Sequence, residues 1–113
     1  MRRIASLLFL ILLFPTFVFA AQIFGSLKQN NTSVGQGVRG RIQCAGEKPY
    51  EADTDGYGSY KIYVPHPGKC GLSVFYGGRW SAVYDIYSDQ TDPVRYDFAL
   101  ISQNDGSLRL ERK

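Results

Sequence analysis

The sequence predicts an all-β protein, a single β-sandwich of about seven strands that follows a cleaved N-terminal signal peptide. Beyond residue 20, short segments alternate apolar and polar residues with the period of two that is typical of half-buried strands. Turn-forming residues separate these segments, and all 12 glycines lie in this part of the chain. No segment there keeps a helical period for more than two turns. Many short strands with frequent turns are typical of two packed sheets.

The first residues have the pattern of a secretory signal peptide. Met1-Arg2-Arg3 provides positive charge, Ile4 to Phe19 is almost wholly apolar, and Ala20 ends a stretch that a signal peptidase can cleave. A membrane-spanning helix is the alternative, but the run is near the lower limit for crossing a bilayer and Pro15 interrupts it. We therefore expect cleavage after Ala20, no stable membrane span afterwards, and an exported protein that is periplasmic or secreted.

In this interpretation residues 1–20 form the signal peptide and residues 21–113 form one small domain. The whole sequence holds 13 Lys and Arg against 10 Asp and Glu, and Arg2 and Arg3 leave with the signal peptide, so the domain carries 11 − 10 = +1. A net charge this small does not favour a nucleic acid as the partner. The sequence indicates no cofactor.

Three strands are predicted in the first part of the domain. Ile23 to Leu27 forms a short first strand, and a polar loop follows it. Val38 to Cys44 alternates strictly, so that Arg39 and Arg41 lie on its outer face. Tyr50 to Thr54 is a weaker third strand. The two exposed arginines could meet an acidic partner, but such a pair is usually a solvated strand edge.

The middle of the domain has the clearest β pattern. Thr54-Asp55-Gly56-Tyr57-Gly58 has the composition of a tight turn, and Tyr60 to Val64 then alternates. Pro65 and Pro67 lack the backbone N–H that a central strand donates to its neighbour. The hydrogen-bonded strand therefore ends before Gly68. The next strand, Cys70 to Tyr76, resumes the alternation and makes an antiparallel neighbour.

The last part of the domain is predicted to contain three more strands. Gly77-Gly78 indicates a hairpin turn. Trp80 to Ile86 is predicted as one continuous strand with its even-numbered residues on one face, and Val94 to Leu100 as another. Asn104-Asp105-Gly106 is a turn before a short final strand. The predicted inward-facing residues are Ile23, Val38, Ile42, Tyr60, Ile62, Val64, Leu72, Val74, Ala82, Tyr84, Ile86, Tyr96, Phe98 and Leu100.

Cys44 and Cys70 are predicted to form a disulfide. If every turn reverses the chain, the strand that ends at Cys44 and the strand that begins at Cys70 reach the same end of the sandwich. We expect the bond to lace the two facing sheets together at that end, and two separate buried thiols are the alternative. These cysteines and a lone histidine supply too few ligands for a metal site.

Three short patterns contain residues that could act as chemical groups in a site. His66 lies between two prolines and has no nucleophile elbow or activated cysteine beside it, so it is interpreted as a turn residue. Asp53-Thr54-Asp55-Gly56 resembles the start of a calcium loop but lacks the later ligands, so it also indicates a turn. Glu51 and Asp53 could pair as acid and base, but a domain this small leaves little room for a cleft. No catalytic and no metal-binding residue is predicted.

The candidate binding surface consists of aromatic residues that fall out of phase with the inward set. They are Tyr57, Tyr63, Phe75 and Tyr87. Outward aromatic rings can stack on sugar rings or anchor a protein partner. The alternative is that they pair across strands and only stabilise the sheet.

Several motifs, read together, resemble one family. They are Gly25, the Val38 to Cys44 strand, Thr54-Asp55-x-x-Gly58-x-Tyr60-x-Ile62, and Pro67-Gly68-Lys69-Cys70-x-Leu72-x-Val74. The pattern covers most of the domain and resembles the carboxypeptidase regulatory-like domain, a transthyretin-like or prealbumin-like β-sandwich. The resemblance implies a seven-strand Greek-key sandwich without catalytic residues of its own, usually found beside an enzyme, a receptor barrel or a cell-surface repeat.

These features together predict a non-enzymatic exported module. It would bind a protein or a polysaccharide in the cell envelope or outside the cell, through an edge strand or through outward aromatic residues. Two alternatives remain. One is a structural protein that self-associates through its edge strands, and the other is a small hydrolase that uses His66, or Glu51 with Asp53.

Overall fold

The computed structural model describes residues 22–89 and 91–113, and this part of the chain contains 11 β-strands and no helix. The all-β prediction is therefore confirmed for these residues. None of them belongs to a helix that could cross a bilayer. The predicted signal peptide and its cleavage site lie outside the described residues. The strands are β1 (Gln22–Gln29), β2 (Thr32–Ser33), β3 (Arg39–Cys44), β4 (Tyr50–Asp53), β5 (Ser59–Tyr63), β6 (Gly68–Tyr76), β7 (Arg79–Trp80), β8 (Tyr84–Ser88), β9 (Val94–Arg95), β10 (Phe98–Ser102) and β11 (Leu108–Arg112).

The strands form two sheets around one core. In the first sheet β1 is central, with β5 and β2 on one side, β9 and β10 on the other, and β11 beyond β10. The second sheet has the order β4, β3, β6, and both β7 and β8 pair with the far side of β6. The strand β1 runs parallel to β9 and β10, and all other described pairs are antiparallel.

The core is made by the inward residues of both sheets. Most of the residues that alternation predicts to face inward are buried, although Tyr84 is only half-buried and Ala82 is exposed. The buried apolar residues are Ile23, Leu27, Val38, Ile42, Cys44, Tyr60, Ile62, Val64, Cys70, Leu72, Val74, Ile86, Tyr96, Phe98, Leu100, Leu108 and Leu110.

The predicted strand from Trp80 to Ile86 is interrupted. Ser81 is buried, its N–H donates to the Val74 carbonyl (2.8 Å), and its hydroxyl accepts from the Val74 N–H (2.9 Å). The N–H of Ala82 then donates to a carbonyl of β11 in the first sheet (2.9 Å). The chain leaves the second sheet here and rejoins it at β8, which shifts the alternation by one residue. The prediction that Ala82 faces inward was therefore wrong, and Trp80 lies on the outer face.

The predicted strand from Val94 to Leu100 is also divided, into β9 and β10. Between them the backbone of Tyr96 approaches β1 so closely that a Cβ on Gly25 would lie 1.9 Å from the Tyr96 carbonyl oxygen. The Asp97 carboxylate accepts a hydrogen bond from the Ser26 N–H (2.8 Å), which replaces a ladder bond at the break. Only glycine fits at position 25, because any side chain would collide with backbone.

Cys44 and Cys70 form the predicted disulfide. They lie directly opposite each other on the antiparallel strands β3 and β6, with Cα atoms 4.4 Å apart. Both strands belong to the second sheet, so the expectation that this bond laces the two sheets together was wrong. The assumption that every turn reverses the chain correctly placed both sulfurs at one end of the sandwich. However, β3 and β6 are neighbours in one sheet and do not face each other across the core.

Hydrogen bonds and core packing join the sheets. The N–H of Tyr87, on the free edge of β8, donates to the Tyr96 hydroxyl in the first sheet (2.9 Å). The Ser88 hydroxyl donates to the Val64 carbonyl at the end of β5 (3.3 Å). These contacts also cover part of the unpaired edge of β8.

Removal of the disulfide should lower the free energy of unfolding by roughly 3.5 kcal/mol, because the bond closes a loop of 26 residues in the unfolded chain. The test is urea unfolding of the oxidised protein and of the Cys44→Ala/Cys70→Ala variant. Since both cysteines are buried and paired in register, equal stabilities would show that the bond does not form or does not constrain the unfolded chain.

Asp97 should make stability depend on pH in the acid range. Burial alone would raise the pKa of Asp97, but hydrogen bonds from Arg95 and Ser26 and the Arg95 charge outweigh it and lower the pKa. A carboxyl with a lowered folded pKa contributes stability above its unfolded pKa of about 3.9, and the contribution is lost as pH falls through the folded value. Asp97→Asn should therefore cost about 1 kcal/mol at neutral pH.

Urea unfolding of wild type and Asp97→Asn at neutral pH and well below the unfolded pKa checks this expectation. The difference in the free energy of unfolding should shrink at the acidic pH. A deficit of the same size at both pH values would contradict the charge explanation.

Candidate functional site

The outer face of the second sheet carries an unusual share of exposed apolar side chains. The described part of the chain has six large exposed apolar residues. Phe75, Trp80, Val83 and Tyr87 lie on this face, whereas Tyr57 and Tyr63 lie elsewhere. We call it the Trp80 face. Its residues are Arg39, Arg41, Gln43, Glu51, Asp53, Lys69, Gly71, Ser73, Phe75, Trp80, Val83, Asp85 and Tyr87.

One end of the Trp80 face is an aromatic cluster covered by a cation. Phe75 and Trp80 are directly opposite in the β6–β7 hairpin, with ring centroids 5.2 Å apart and planes tilted by 56°. The Arg41 guanidinium lies over the Trp80 ring, 4.1 Å from its centroid. Phe75 is 40% exposed and Trp80 is 38% exposed, so both rings remain accessible from solvent.

Ion pairs hold the two arginines in place. Arg41 donates to Glu51 (2.8 Å), and Arg39 donates both to Asp53 (3.1 Å) and to Glu51 (3.3 Å). The hydrogen bond and charge of Asp53, with the charge of Glu51, raise the pKa of Arg39. Each exposed pair contributes little to stability, but the network restricts the rotamers of side chains next to Trp80.

Beyond the aromatic cluster, the face continues along β6 and β8. Val83 lies against Gly71, where a Cβ would be 2.5 Å from a Val83 methyl group, so the missing side chain at this outward position makes room for Val83. Lys69 pairs with Asp85 (3.4 Å), and Tyr87, opposite Lys69, is 58% exposed. One shallow depression is lined in part by Lys69, Val83 and Asp85, and another lies beside Phe75 and Trp80.

The structure separates the four aromatic residues of the predicted binding surface. Phe75 and Tyr87 lie at opposite ends of the Trp80 face. Tyr63 lies at the end of β5, on the outer face of the first sheet, and Tyr57 lies in the turn between β4 and β5. The four side chains are all exposed, but they do not form one surface.

Trp80 was absent from the predicted surface although a sequence signal for it existed. A two-residue turn at Gly77-Gly78 places Tyr76 opposite Arg79 and therefore Phe75 opposite Trp80. Opposite residues of an antiparallel pair point to the same face. Since Phe75 is predicted to point outward, the hairpin register predicts the same for Trp80. The prediction of one continuous strand from Trp80 to Ile86 instead puts Trp80 on the same face as Ile86, which is an inward-facing residue.

The residues considered for chemistry are not assembled into one site. Glu51 and Asp53 are ion-paired with arginines on the Trp80 face. The nearest acidic group to His66 is Glu47, 3.6 Å away at the disulfide end. The Asp55 carboxylate accepts hydrogen bonds from two backbone N–H groups of its own turn. Among residues 22–89 and 91–113, no three His, Cys, Asp or Glu side chains are grouped as metal ligands.

A further depression lies on the outer side of the first sheet. It has a volume of 590 Å³ and is lined in part by Phe24, Lys61, Pro93 and Arg95. Arg95 is bound to Asp97 (2.8 Å) and lies 5.7 Å from the centroid of the half-buried Phe24 ring. The rings that line this depression, Phe24 and Tyr60, are half-buried and buried, whereas the Trp80 face has several exposed rings. The Trp80 face is therefore the stronger candidate.

Comparisons with known proteins do not assign a family. No family model matches the chain, and no curated protein matches it. Among solved structures, the crystal structure of a 9R-lipoxygenase from Cyanothece PCC8801 has a similar part, with 18% sequence identity and a TM-score of 0.42. That match covers 71% of this chain and 16% of the lipoxygenase chain. The resemblance to carboxypeptidase regulatory-like domains stays a prediction.

Trp80 is the single tryptophan of the chain, so its fluorescence reports on this face directly. Arg41→Gln should move the emission to longer wavelength and increase quenching by acrylamide, because the guanidinium no longer covers one side of the ring. Lys61→Gln, on the outer face of the first sheet, is the matched control and should leave the emission unchanged. An unchanged spectrum of Arg41→Gln would contradict the stacked geometry.

Proposed function

We propose that this protein is an exported, non-enzymatic binding module of the Greek-key, carboxypeptidase regulatory-like type. Its partner is a protein or a polysaccharide of the cell envelope or the extracellular space, and it binds through the Trp80 face. The observation that carries this proposal is the exposed cluster of Phe75, Trp80 and Arg41 on the outer face of the second sheet.

The composition of the cluster supports a role in binding. Tryptophan, tyrosine and arginine are the residues that contribute most often to binding energy at interfaces. Here the Glu51 and Asp53 carboxylates already hold the arginines. Side chains that are ordered before binding lose less conformational entropy when a partner arrives. The same carboxylates are the candidate acid and base of a hydrolase, and their pairing with arginines favours the binding role.

Export is supported by two independent features. The disulfide between Cys44 and Cys70 is of the kind that persists in oxidising compartments. The basic start and apolar run of residues 1–20 fit a signal peptide. Expression of residues 1–113 should yield a periplasmic or secreted product whose mass corresponds to residues 21–113 with one disulfide. A cytoplasmic product that retains residue 1 would contradict the export proposal.

The binding role is tested by capture from an envelope extract with immobilised wild type, Trp80→Ala and Tyr57→Ala. Trp80→Ala should lose about tenfold in affinity for whatever polymer or protein wild type retains, as expected for an aromatic side chain that anchors a partner. Tyr57 is 84% exposed in a turn away from the face and is the matched control, which should behave as wild type.

Two results would count against this assignment. Equal capture by wild type and Trp80→Ala would place the binding site elsewhere. A stable oligomer in sizing experiments that dissociates in Trp80→Ala would favour the self-associating alternative, with the Trp80 face as the contact between copies.

A further inference from the structure

We propose that the partner of the Trp80 face is a neutral polysaccharide whose chain lies along β6 and β8. This inference rests on the proposed binding function and narrows it to one class of ligand. It is carried by the charge balance of the face, the linear arrangement of its apolar groups, and the donors and acceptors beside them.

The charges on the face cancel locally. Arg39, Arg41 and Lys69 are its cations, and Asp53, Glu51 and Asp85 are their carboxylate partners, within 2.8 to 3.4 Å. Three positive and three negative groups leave 3 − 3 = 0. A face without net charge does not attract a polyanion such as a nucleic acid or an acidic glycan, because that attraction requires unpaired cations.

The apolar groups form a line along the sheet. Phe75 and Trp80 lie at one end, Val83 lies over Gly71 in the middle, and Tyr87 lies at the other end. Phe75 and Lys69, the partner of Tyr87, are six positions apart on the strand, which corresponds to about 20 Å. Protein hot spots cluster at the centre of an interface in packed pockets. A line of rings on a shallow face instead suits a ribbon-like chain of several sugar units.

The polar groups next to this line match hydroxyl groups. A sugar hydroxyl both donates and accepts hydrogen bonds. Arg41 with Glu51, and Lys69 with Asp85, each offer a donor and an acceptor side by side along the line. The C–H faces of sugar rings can pack on the exposed rings of Trp80, Phe75 and Tyr87 while their hydroxyls reach these pairs.

An extended peptide fits the face less well. Peptides that bind sheets usually add a strand at an edge and use its free backbone groups. The Trp80 face is centred on β3 and β6, whose backbones are paired on both sides in the described residues. A ligand on this face therefore meets mainly side chains, and the depressions that the described residues form there are shallow.

The test uses the processed protein with its disulfide intact and a defined set of probes. Soluble xyloglucan, mannan, dextran and hydroxyethyl cellulose are titrated while Trp80 emission is followed, and insoluble chitin and cellulose are used for co-sedimentation. At least one neutral polymer should move the emission to shorter wavelength and reduce acrylamide quenching. The affinity should not change when the salt concentration is raised, because no net charge is neutralised. Polygalacturonate and heparin are the anionic controls.

Variants then locate the binding. Trp80→Ala and Tyr87→Ala lie at the two ends of the line, and each should lower the affinity by about tenfold in co-sedimentation or calorimetry. Trp80→Phe should restore part of the loss, which separates ring stacking from a folding defect. Tyr57→Ala should stay within about twofold of wild type. Urea unfolding of each variant confirms that it is folded.

The outcomes separate this inference from the function on which it rests. If none of the neutral polymers binds, or only the anionic controls bind with strong salt dependence, the polysaccharide inference is wrong. If, in addition, an envelope protein is captured in a Trp80-dependent manner, the binding function stands with a protein as partner. If a neutral polymer binds equally well to Trp80→Ala, both the inference and the placement of the site on this face are wrong.

Discussion

The register between β3 and β6 is the constraint on which the rest of this structure depends. The pairs run from Arg39 opposite Phe75 to Cys44 opposite Cys70. Because side chains alternate between the two faces, a slip of one residue would turn Phe75 into the core and expose Val74. The disulfide joins the last pair of this register covalently. It therefore stabilises the pairing of β3 and β6, the two central strands of the Trp80 face, and leaves the contact between the sheets to hydrogen bonds and packing.

The hairpin and the crossing that follow β6 bring Trp80 to this face. The Gly77-Gly78 turn pairs Phe75 with Trp80, and both glycines have positive φ values, 64° and 84°. Immediately afterwards Ser81 is buried and the chain hydrogen-bonds to the first sheet. The same short segment thus places one ring on the surface and connects the two layers, so the position of Trp80 is coupled to the packing of the whole domain.

Local charge pairing leaves the arginines of the Trp80 face neutralised. Arg39 and Arg41 face solvent next to exposed rings, and an unpaired arrangement would make a cationic aromatic surface that attracts polyanions. Glu51 and Asp53, two residues apart on β4, lie opposite these arginines and neutralise them. The pairing follows from the antiparallel register of β3 with β4, in which residues of opposite charge share one face.

The sequence by itself determined the features that depend on neighbouring residues in the chain, such as strand formation and the direction of side chains. Period-two alternation and turn residues predicted an all-β chain with most of its strands, and the even number of cysteines predicted the bond between Cys44 and Cys70, which the structure confirms. Alternation also predicted that Phe75 and Tyr87 point outward, since side-chain direction follows from the backbone of a single strand.

Only the tertiary structure decided which strands are neighbours and where the alternation breaks. No local signal states that Cys44 and Cys70 lie in one sheet, because strand pairing between distant segments depends on how both layers pack. The break at Ser81 arises because its side chain and the next amide find partners on β6 and β11, which are remote in sequence. The Trp80 face exists because five strands bring these side chains together, and that assembly is a property of the folded sheet.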